Sequence, residues 1–326
     1  MDIPCPIDRR LLDDYQRDFP LTPRPFAVIA ADLGISEAEV LDRLTALRDQ
    51  GRISRVGATC RPNTAGASTL AALAVPDQRV EQVAAMIGAE PGVNHSYLRE
   101  DAFNLWFVAT APDPAALTAL LARIEANSGL PVLSLPLLRA FNIDLGFRLS
   151  GPRRAMRLDQ DADLSVLRDD DRPVMHALSR GLPLVAQPFQ ALAHALNRPE
   201  AEVLDRIATL SQARLLTRVG IILKHRALGW TANAMVVWRL PDDRIGAAGR
   251  ALAQLPGVTL CYQRRITPGV WDWPLFCMIH ARSRPEAGAV LQTARDLPEL
   301  SGADHKVLFS TRCFKQQGAQ ITGVAA

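Results

Sequence analysis

The heptapeptide EAEVLDR, residues Glu37–Arg43, is spelled again letter for letter at Glu200–Arg206, an offset of 163 residues. At the same offset Phe26 aligns with Phe189, Leu33 with Leu196, Leu47 with Leu210, and Arg55-Val56-Gly57 with Arg218-Val219-Gly220. After a two-residue shift, Pro91-Gly92-Val93 meets Pro256-Gly257-Val258 and Tyr97 meets Tyr262. One short match is within chance, but a frame held through most of each half is a duplication. The chain is two copies of one unit, in keeping with the two or so domains expected of 326 residues.

Each copy opens with short helical segments, in the first copy Ile7–Tyr15, Pro25–Leu33 and Ser36–Gln50. The third carries Val40, Leu41, Leu44 and Leu47, the spacing of one buried helix face. Ser36 with Glu39 three residues on is a capping box, and Gly51 is placed to end the helix. RISRVGATC then alternates as a strand does and is expected to form a wing, giving a winged helix-turn-helix. Next come Leu70–Val75 as strand, Val80–Gly88 as helix, Val93–Glu100 and Asn104–Thr110 as strands, Pro114–Ser128 as helix and Pro131–Leu138 as strand. That order, βαββαβ, is the ferredoxin-like arrangement. The second copy repeats it at Ala234–Leu240, Asp243–Leu255, Val258–Arg265, Leu275–His280, Pro285–Leu297 and Asp304–Phe309. The expected class is α+β, a tandem duplication of winged helix-turn-helix plus ferredoxin-like domain. Its boundaries are 1–67 and 68–150 for the first copy, a solvated Arg- and Asp-rich linker at 151–172, and 173–231 and 232–326 for the second; a helix is expected to begin near Leu164.

Composition narrows the function. Hydrophobic residues at 48% and charged residues at 22% describe an ordinary globular protein, and no apolar run approaches the roughly 20 residues of a membrane span. MDIPCPIDRR lacks the apolar core of a signal peptide, so a cytoplasmic location is expected. Five cysteines without C-x-x-C spacing argue against a disulfide framework and against a zinc or iron–sulfur centre. A net charge of +3 is too weak to imply a polyanion such as DNA, though a local basic pocket for a small anion fits it.

A helix-turn-helix followed by βαββαβ resembles the Lrp/AsnC regulators, over nearly the whole chain and twice. Two details pull away from a regulator. A DNA-reading helix offers polar and basic residues in its first turns, whereas Glu37, Glu39 and Asp42, and again Glu200, Glu202 and Asp205, put carboxylates there. The central strand pairs, NHSYLREDAFNLWF and LCYQRRITPGVWDWPLFCMIH, are similar to the H-x-Y-x-R…N-L-W-F and C-Y-x-R…D-W-P…L-F-x-M-I-H signatures of siroheme decarboxylases. That family is built from two Lrp-like subunits, fused in some denitrifying bacteria. The resemblance implies an enzyme that removes carbon dioxide from the acetates on rings C and D of siroheme, giving 12,18-didecarboxysiroheme. It implies no organic cofactor, with iron arriving inside the substrate, and an intramolecular pseudo-dimer of the two halves with scope for a further homodimer. No membrane or nucleic-acid partner is expected.

The residues suit that chemistry. His95, Tyr97 and Arg99 occupy i, i+2 and i+4 of one strand and so share a face. Tyr262 and Arg264 repeat two of the three, while Leu260 stands where His95 does. A tetrapyrrole rimmed by eight carboxylates calls for fixed cations, and arginine binds carboxylate bidentately. The strand candidates are Arg99, Arg264 and Arg265; Arg55, Arg218, Lys224 and His225 are candidates from the wing region. For Arg55 and Arg218 the rival reading is a repeated salt bridge that ties wing to helix. Trp271 and Trp273 are candidates for stacking on the macrocycle, and Trp106 reads more readily as core. The insertion Ile266–Val270, present only in the second copy, suggests a lid or pocket wall. His95 or His280 is the candidate proton donor, with Tyr97 or Tyr262 as relay; His280 reads equally as a core histidine or an axial ligand to the substrate's iron. Two alternatives stay open at this level, a DNA-binding regulator of the Lrp/AsnC type and a tetrapyrrole-binding protein without catalysis.

Overall fold

The computed structural model describes residues 5–64, 66–142, 149 and 162–318. In the first copy the elements are α1 (Pro6–Asp14), α2 (Pro25–Leu33), α3 (Glu37–Asp49), β1 (Ile53–Cys60), β2 (Ala67–Leu73), α4 (Val80–Ala89), β3 (Val93–Arg99), β4 (Leu105–Ala111), α5 (Pro114–Ser128) and β5 (Leu133–Asn142). The second copy supplies α6 (Asp171–Arg180), α7 (Pro188–Ala195), α8 (Glu200–Gln212), β6 (Leu216–Leu223), β7 (Ala232–Arg239), α9 (Asp242–Gln254), β8 (Val258–Arg264), β9 (Leu275–Ala281), α10 (Arg284–Arg295) and β10 (Asp304–Gln316). Most of the expected linker, residues 151–161, lies outside the described residues. Near Leu164, where a helix is expected to begin, a single 3-10 turn forms at Leu164–Val166, and α6 starts at Asp171. Among the described residues no helix is long and apolar enough to cross a membrane.

The described residues divide into two compact units: 5–64 with 162–229, and 66–142 with 230–318. The first holds both helix-turn-helix segments. Ser36 caps α3 by accepting from the Glu39 amide, and Val40, Leu44 and Leu47 bury the expected face. Past the helix end, Gly51 takes the left-handed conformation at φ 69°. In the second copy Arg214 holds the matching place at φ 61°, a conformation that costs a side-chain-bearing residue about 1 kcal/mol or more. One ion pair recurs in both copies. Arg43 meets Asp8 at 2.9 Å, and Arg206 grips Asp171 with Nε at 2.8 Å and Nη2 at 2.6 Å.

The wing expectation is corrected. β1 does not fold back on its own copy; it pairs antiparallel with β6, with Gly57 opposite Gly220 at the centre of the ribbon. Neither glycine has room for a side chain, since a Cβ at Gly57 would lie 2.4 Å from the Leu178 carbonyl oxygen and one at Gly220 2.4 Å from that of Gln16. The helix ends therefore press onto this ribbon, leaving the strand edges to find each other.

In the second unit the two βαββαβ segments close into one barrel, in the order β10-β3-β4-β2-β5-β8-β9-β7. Closure comes from the last strand of each copy, which runs longer than its sequence pattern suggests. β10 pairs with β7 through Asp304–Phe309 and then with β3 through Ser310–Gln316. β5 likewise leaves β2 after Pro136 and pairs with β8 from Leu137. The crossing is sealed by Phe141 of β5, whose ring sits where a Cβ on Gly249 of α9 would fall, 2.3 Å from its nearest atom.

Strand alternation then sorts the side chains into three cores. Leu73, Phe107 and Ile124 pack under α4 and α5, and Val236, Leu252 and Cys277 under α9 and α10. Leu70, Trp106, Leu135, Tyr262, Trp271, Phe276 and Leu308 fill the barrel interior. Trp106, Trp271 and Phe276 are fully buried there, each contributing roughly 1.5–3 kcal/mol or more of apolar transfer.

Candidate active site

On β3 a register shift between Val93 and His95 rotates the strand. Beyond it His95 lies opposite Val108 and Tyr97 opposite Trp106, so His95, Tyr97 and Arg99 share the interior face with Trp106. The His95 and Tyr97 rings stack at 6.4 Å with 13° between their planes, and both residues are half-buried. The buried Arg99 guanidinium stands 5.6 Å from the Tyr97 ring centre and donates through Nη1 to the Leu308 carbonyl at 3.0 Å. The three expected neighbours are brought together.

The second copy mirrors this with two of the three. Arg264 lies 4.6 Å over Tyr262, and its Nη1 donates to the Leu135 carbonyl at 2.7 Å. Leu135 and Leu308 hold matching places in β5 and β10, so each copy's arginine is anchored on the other copy's crossing strand. Burial pushes the Arg264 pKa down from its ordinary value. Leu260 faces Met278 where the first copy sets His95 against Val108. Arg265 is exposed, and its backbone amide bonds to the Pro136 carbonyl.

His280 is also on the interior side of its strand but is held differently. Its Nδ1 is 2.6 Å from Thr259 Oγ1, which donates its own proton to the Met278 carbonyl, so Nδ1–H is the donor toward Thr259. Its Nε2 is 2.9 Å from Asn233 Nδ2 and accepts there. Both ring nitrogens of the buried imidazole are engaged, and the arrangement is the neutral tautomer. The first copy has Thr110 at this place, opposite Ser68 rather than an asparagine. Sequence reading missed Asn233 and Thr259; the signal was a polar residue near the start of each of two otherwise apolar strands, ANAMVVW and VTLC.

The stacking roles expected of Trp271 and Trp273 give way to packing. Trp271 is 2% exposed, enclosed by Trp106 at 5.1 Å, Phe103 at 6.0 Å and Phe276 at 6.3 Å. Trp273 is buried with Arg239 at 4.6 Å and Lys306 at 5.6 Å from its ring centre. The expected lid is a tight turn: Thr267 bridges Trp271, Gly269 turns the chain at φ 76°, and Ile266 and Val270 stay exposed. The turn leads into Trp271, which lies in the barrel core. Arg218, Lys224 and His225 belong to the helix-turn-helix unit, in β6 and just after it. The salt bridge weighed for Arg55 and Arg218 does not form, as neither has a carboxylate partner among the described residues.

Helix-turn-helix segments and a barrel of two βαββαβ copies define a fused pair of AsnC-like modules. Residues 65–142 and 227–315 match the AsnC-like ligand-binding domain, and residues 8–53 and 171–216 match the siroheme decarboxylase NirDL-like helix-turn-helix domain. The chain is 68% identical to the siroheme decarboxylase NirDL subunit of Paracoccus denitrificans over 98% of each chain. It is similar to the crystal structure of siroheme decarboxylase NirDL with a TM-score of 0.69 and 27% identity, covering 96% of this chain and 94% of that one. The same enzyme in complex with an iron-uroporphyrin III analogue matches at a TM-score of 0.68 and 27% identity, over 96% and 93%. The chain belongs to the siroheme decarboxylase NirDL family.

Proposed function

We propose that the chain removes carbon dioxide from the acetate side chains at C12 and C18 of siroheme, on rings C and D, giving 12,18-didecarboxysiroheme on the way to d-type heme or, by the alternative route, heme. As a siroheme decarboxylase it is a carboxy-lyase. The observation that carries the assignment to particular residues is the His95–Tyr97–Arg99 face: an imidazole, a phenol and a fixed cation in one line on one strand. A relative crystallised with an iron-uroporphyrin III analogue supports a tetrapyrrole as ligand.

Breaking the bond between the acetate methylene and its carboxylate leaves an electron pair that the protonated macrocycle accepts. A proton then lands on the exocyclic carbon and the macrocycle gives up its own, so each cycle consumes one proton net and releases one carbon dioxide, turning acetate into methyl. In this reading His95 supplies that proton, with Tyr97 stacked beside it to orient the ring or pass the proton on. His280 is a positioning residue instead: its one ring proton is committed to Thr259, and its other nitrogen faces the Asn233 amide group. The same engagement counts against His280 as an axial ligand to the substrate's iron. Arg99 and Arg264, with Arg265 at the rim, bind propionates and the acetates not reacting, because an arginine on the scissile carboxylate would stabilise the ground state and slow the step. Tyr262 fills the relay position in a copy that lacks the donor, and Trp271 and Trp273 support the site from within the core.

The chain needs no organic cofactor and no metal beyond the iron in siroheme, works in the cytoplasm and binds no nucleic acid. The acidic first turns support that last point: Glu37 is paired with Arg24, and Glu39 at 2.8 Å with Arg43. A further twofold association of fused chains belongs to the same reading. Anaerobic incubation with siroheme followed by mass spectrometry of the extracted tetrapyrrole tests it. Loss of one and then two carbon dioxide masses is the expected result. An unchanged mass with a shifted absorption spectrum would leave a binding protein, and duplex-DNA affinity that falls steeply with salt would leave a regulator.

A further inference from the structure

Arg218 is 7% exposed, and its Nε and Nη1 have no hydrogen-bond partner among the described residues. It sits on the face of the β1–β6 ribbon that also carries Arg55, with Thr59 opposite Arg218 and Gly57 opposite Gly220 between the two arginines. Arg55 leans back along its strand: its Nε lies 3.5 Å from where a Gly57 Cβ would be, and Nη2 reaches the Ala58 carbonyl at only 3.4 Å. Arg55 Nε is likewise buried without a partner. The hydroxyls of Thr59 and Thr217 are 2.9 Å apart beside them. Leu178 and Gly181 cover the Gly57 side, and Tyr15 and Gln16 the Gly220 side.

An uncompensated buried cation is strongly disfavoured, and the half-buried Arg55 on the same face adds to the cost at Arg218. Desolvation lowers both pKa values, and with the added charge of Arg55 it brings Arg218 to about 10. No ion pair involves either residue among the described residues, and the recorded partners are a carbonyl and a thiol, Cys60, whose own pKa burial raises to about 12. A thiol held protonated does not neutralise a guanidinium.

We propose that Arg55 and Arg218 form a buried oxyanion site in the helix-turn-helix unit, which takes one carboxylate or phosphate group between the two guanidiniums. Two sources carry that chemistry, a free inorganic anion and a carboxylate arm of the tetrapyrrole. The second rests on the decarboxylase reading; the first does not.

The test titrates the full chain with sodium phosphate at constant ionic strength, and separately with iron-uroporphyrin III, for the natural protein, Arg218→Met and Arg55→Met. Saturable phosphate binding that weakens at least roughly ten-fold in both variants assigns the site to a free anion. Absence of phosphate binding, with a similar loss of iron-uroporphyrin III affinity in both variants, assigns it to a tetrapyrrole carboxylate. In either case Arg218→Met, which removes an uncompensated charge, melts no lower than the natural protein when anion is absent. If the natural protein shows no saturable phosphate binding and neither variant loses iron-uroporphyrin III affinity, the site does not exist; siroheme turnover measured on the same sample shows whether the decarboxylase reading survives that failure. A variant that melts lower without anion also overturns the proposal, because the charge it removed was then already compensated.

Discussion

The two copies agree in an ion pair and an arginine anchor and differ at a few positions of the barrel strands and at one turn. Asp8–Arg43 and Asp171–Arg206 are one ion pair used twice, and Arg99 to Leu308 and Arg264 to Leu135 are one anchor used twice. Against these, His95 answers to Leu260 and Thr110 to His280, and only the second copy carries the Ile266–Val270 turn. The arginine anchors bind each copy to its twin, so drift in one is resisted by the other. Side chains facing the ligand have no such constraint once one competent set remains. On the proposed reading, duplication yields one chemically equipped face and one supporting face.

The sharpest way to break that view is to remove the interior-facing histidine from each copy. His95→Ala is expected to cut siroheme turnover by roughly 10²–10⁴-fold while iron-uroporphyrin III affinity stays within a few-fold. His280→Ala should instead lower the melting temperature, with turnover reduced far less; the mass-spectrometric assay with titration separates the two. Equal losses would make the copies functional equals.

The ion pairs should split next. Asp171→Ala strands the nearly buried Arg206 and is expected to cost about 3–5 kcal/mol in chemical denaturation. Asp8→Ala should cost under about 1 kcal/mol, because Arg43 is partly exposed and keeps Glu39 at 2.8 Å. The same contrast has a pH signature. Burial pushes the Asp171 carboxyl up, but the Arg206 hydrogen bonds, the Arg168 amide and the neighbouring charges outweigh it and hold it below the ordinary carboxylate value. Its stabilisation is therefore complete above the unfolded pKa of roughly 4 and is lost as pH falls through the lower folded value. Melting temperatures of the natural protein followed into acid should show a fall that Asp171→Asn lacks.

Gly249→Val tests the crossing strand alone. It drives a side chain into Phe141 and should destabilise the chain by about 1–3 kcal/mol. The smallest effect is expected at the helix ends. Arg214→Gly should stabilise by about 0.5–1 kcal/mol by relieving the left-handed backbone, whereas Gly51→Ala should cost a similar amount, both read from thermal melts.

Much of this is legible in the sequence. The repeat frame, the α3 face of Val40, Leu44 and Leu47, and the βαββαβ order follow from local periodicity, which local sequence encodes. The shared face of His95, Tyr97 and Arg99 followed from strand alternation, although it depends on a bulge at Val93/His95 that no pattern announced. What stayed hidden was pairing between copies. β1 reads as a wing because its alternation says strand without saying whose partner, and β10 reads as ending at Phe309 because STRCFK satisfies a different sheet. Trp271 and Trp273 read as ligand platforms because an aromatic loop in sequence does not declare which way it folds. Arg218 read as a salt bridge or a substrate contact, since the missing carboxylate is visible only in three dimensions.

The crossing of β10 has a consequence for how the molecule is made. Ser310–Gln316 pairs with β3, roughly 200 residues earlier in the chain. During synthesis the strand that bears His95 therefore waits with one edge unpaired until almost the whole chain has left the ribosome, a situation that invites wrong partners. Carrying both halves on one polypeptide shortens that wait, because the completing strand arrives tethered rather than by encounter. A chain cut short before β10 would carry every chemical group of the first copy on an open-edged sheet, so a truncated product should aggregate rather than act as a stray catalyst.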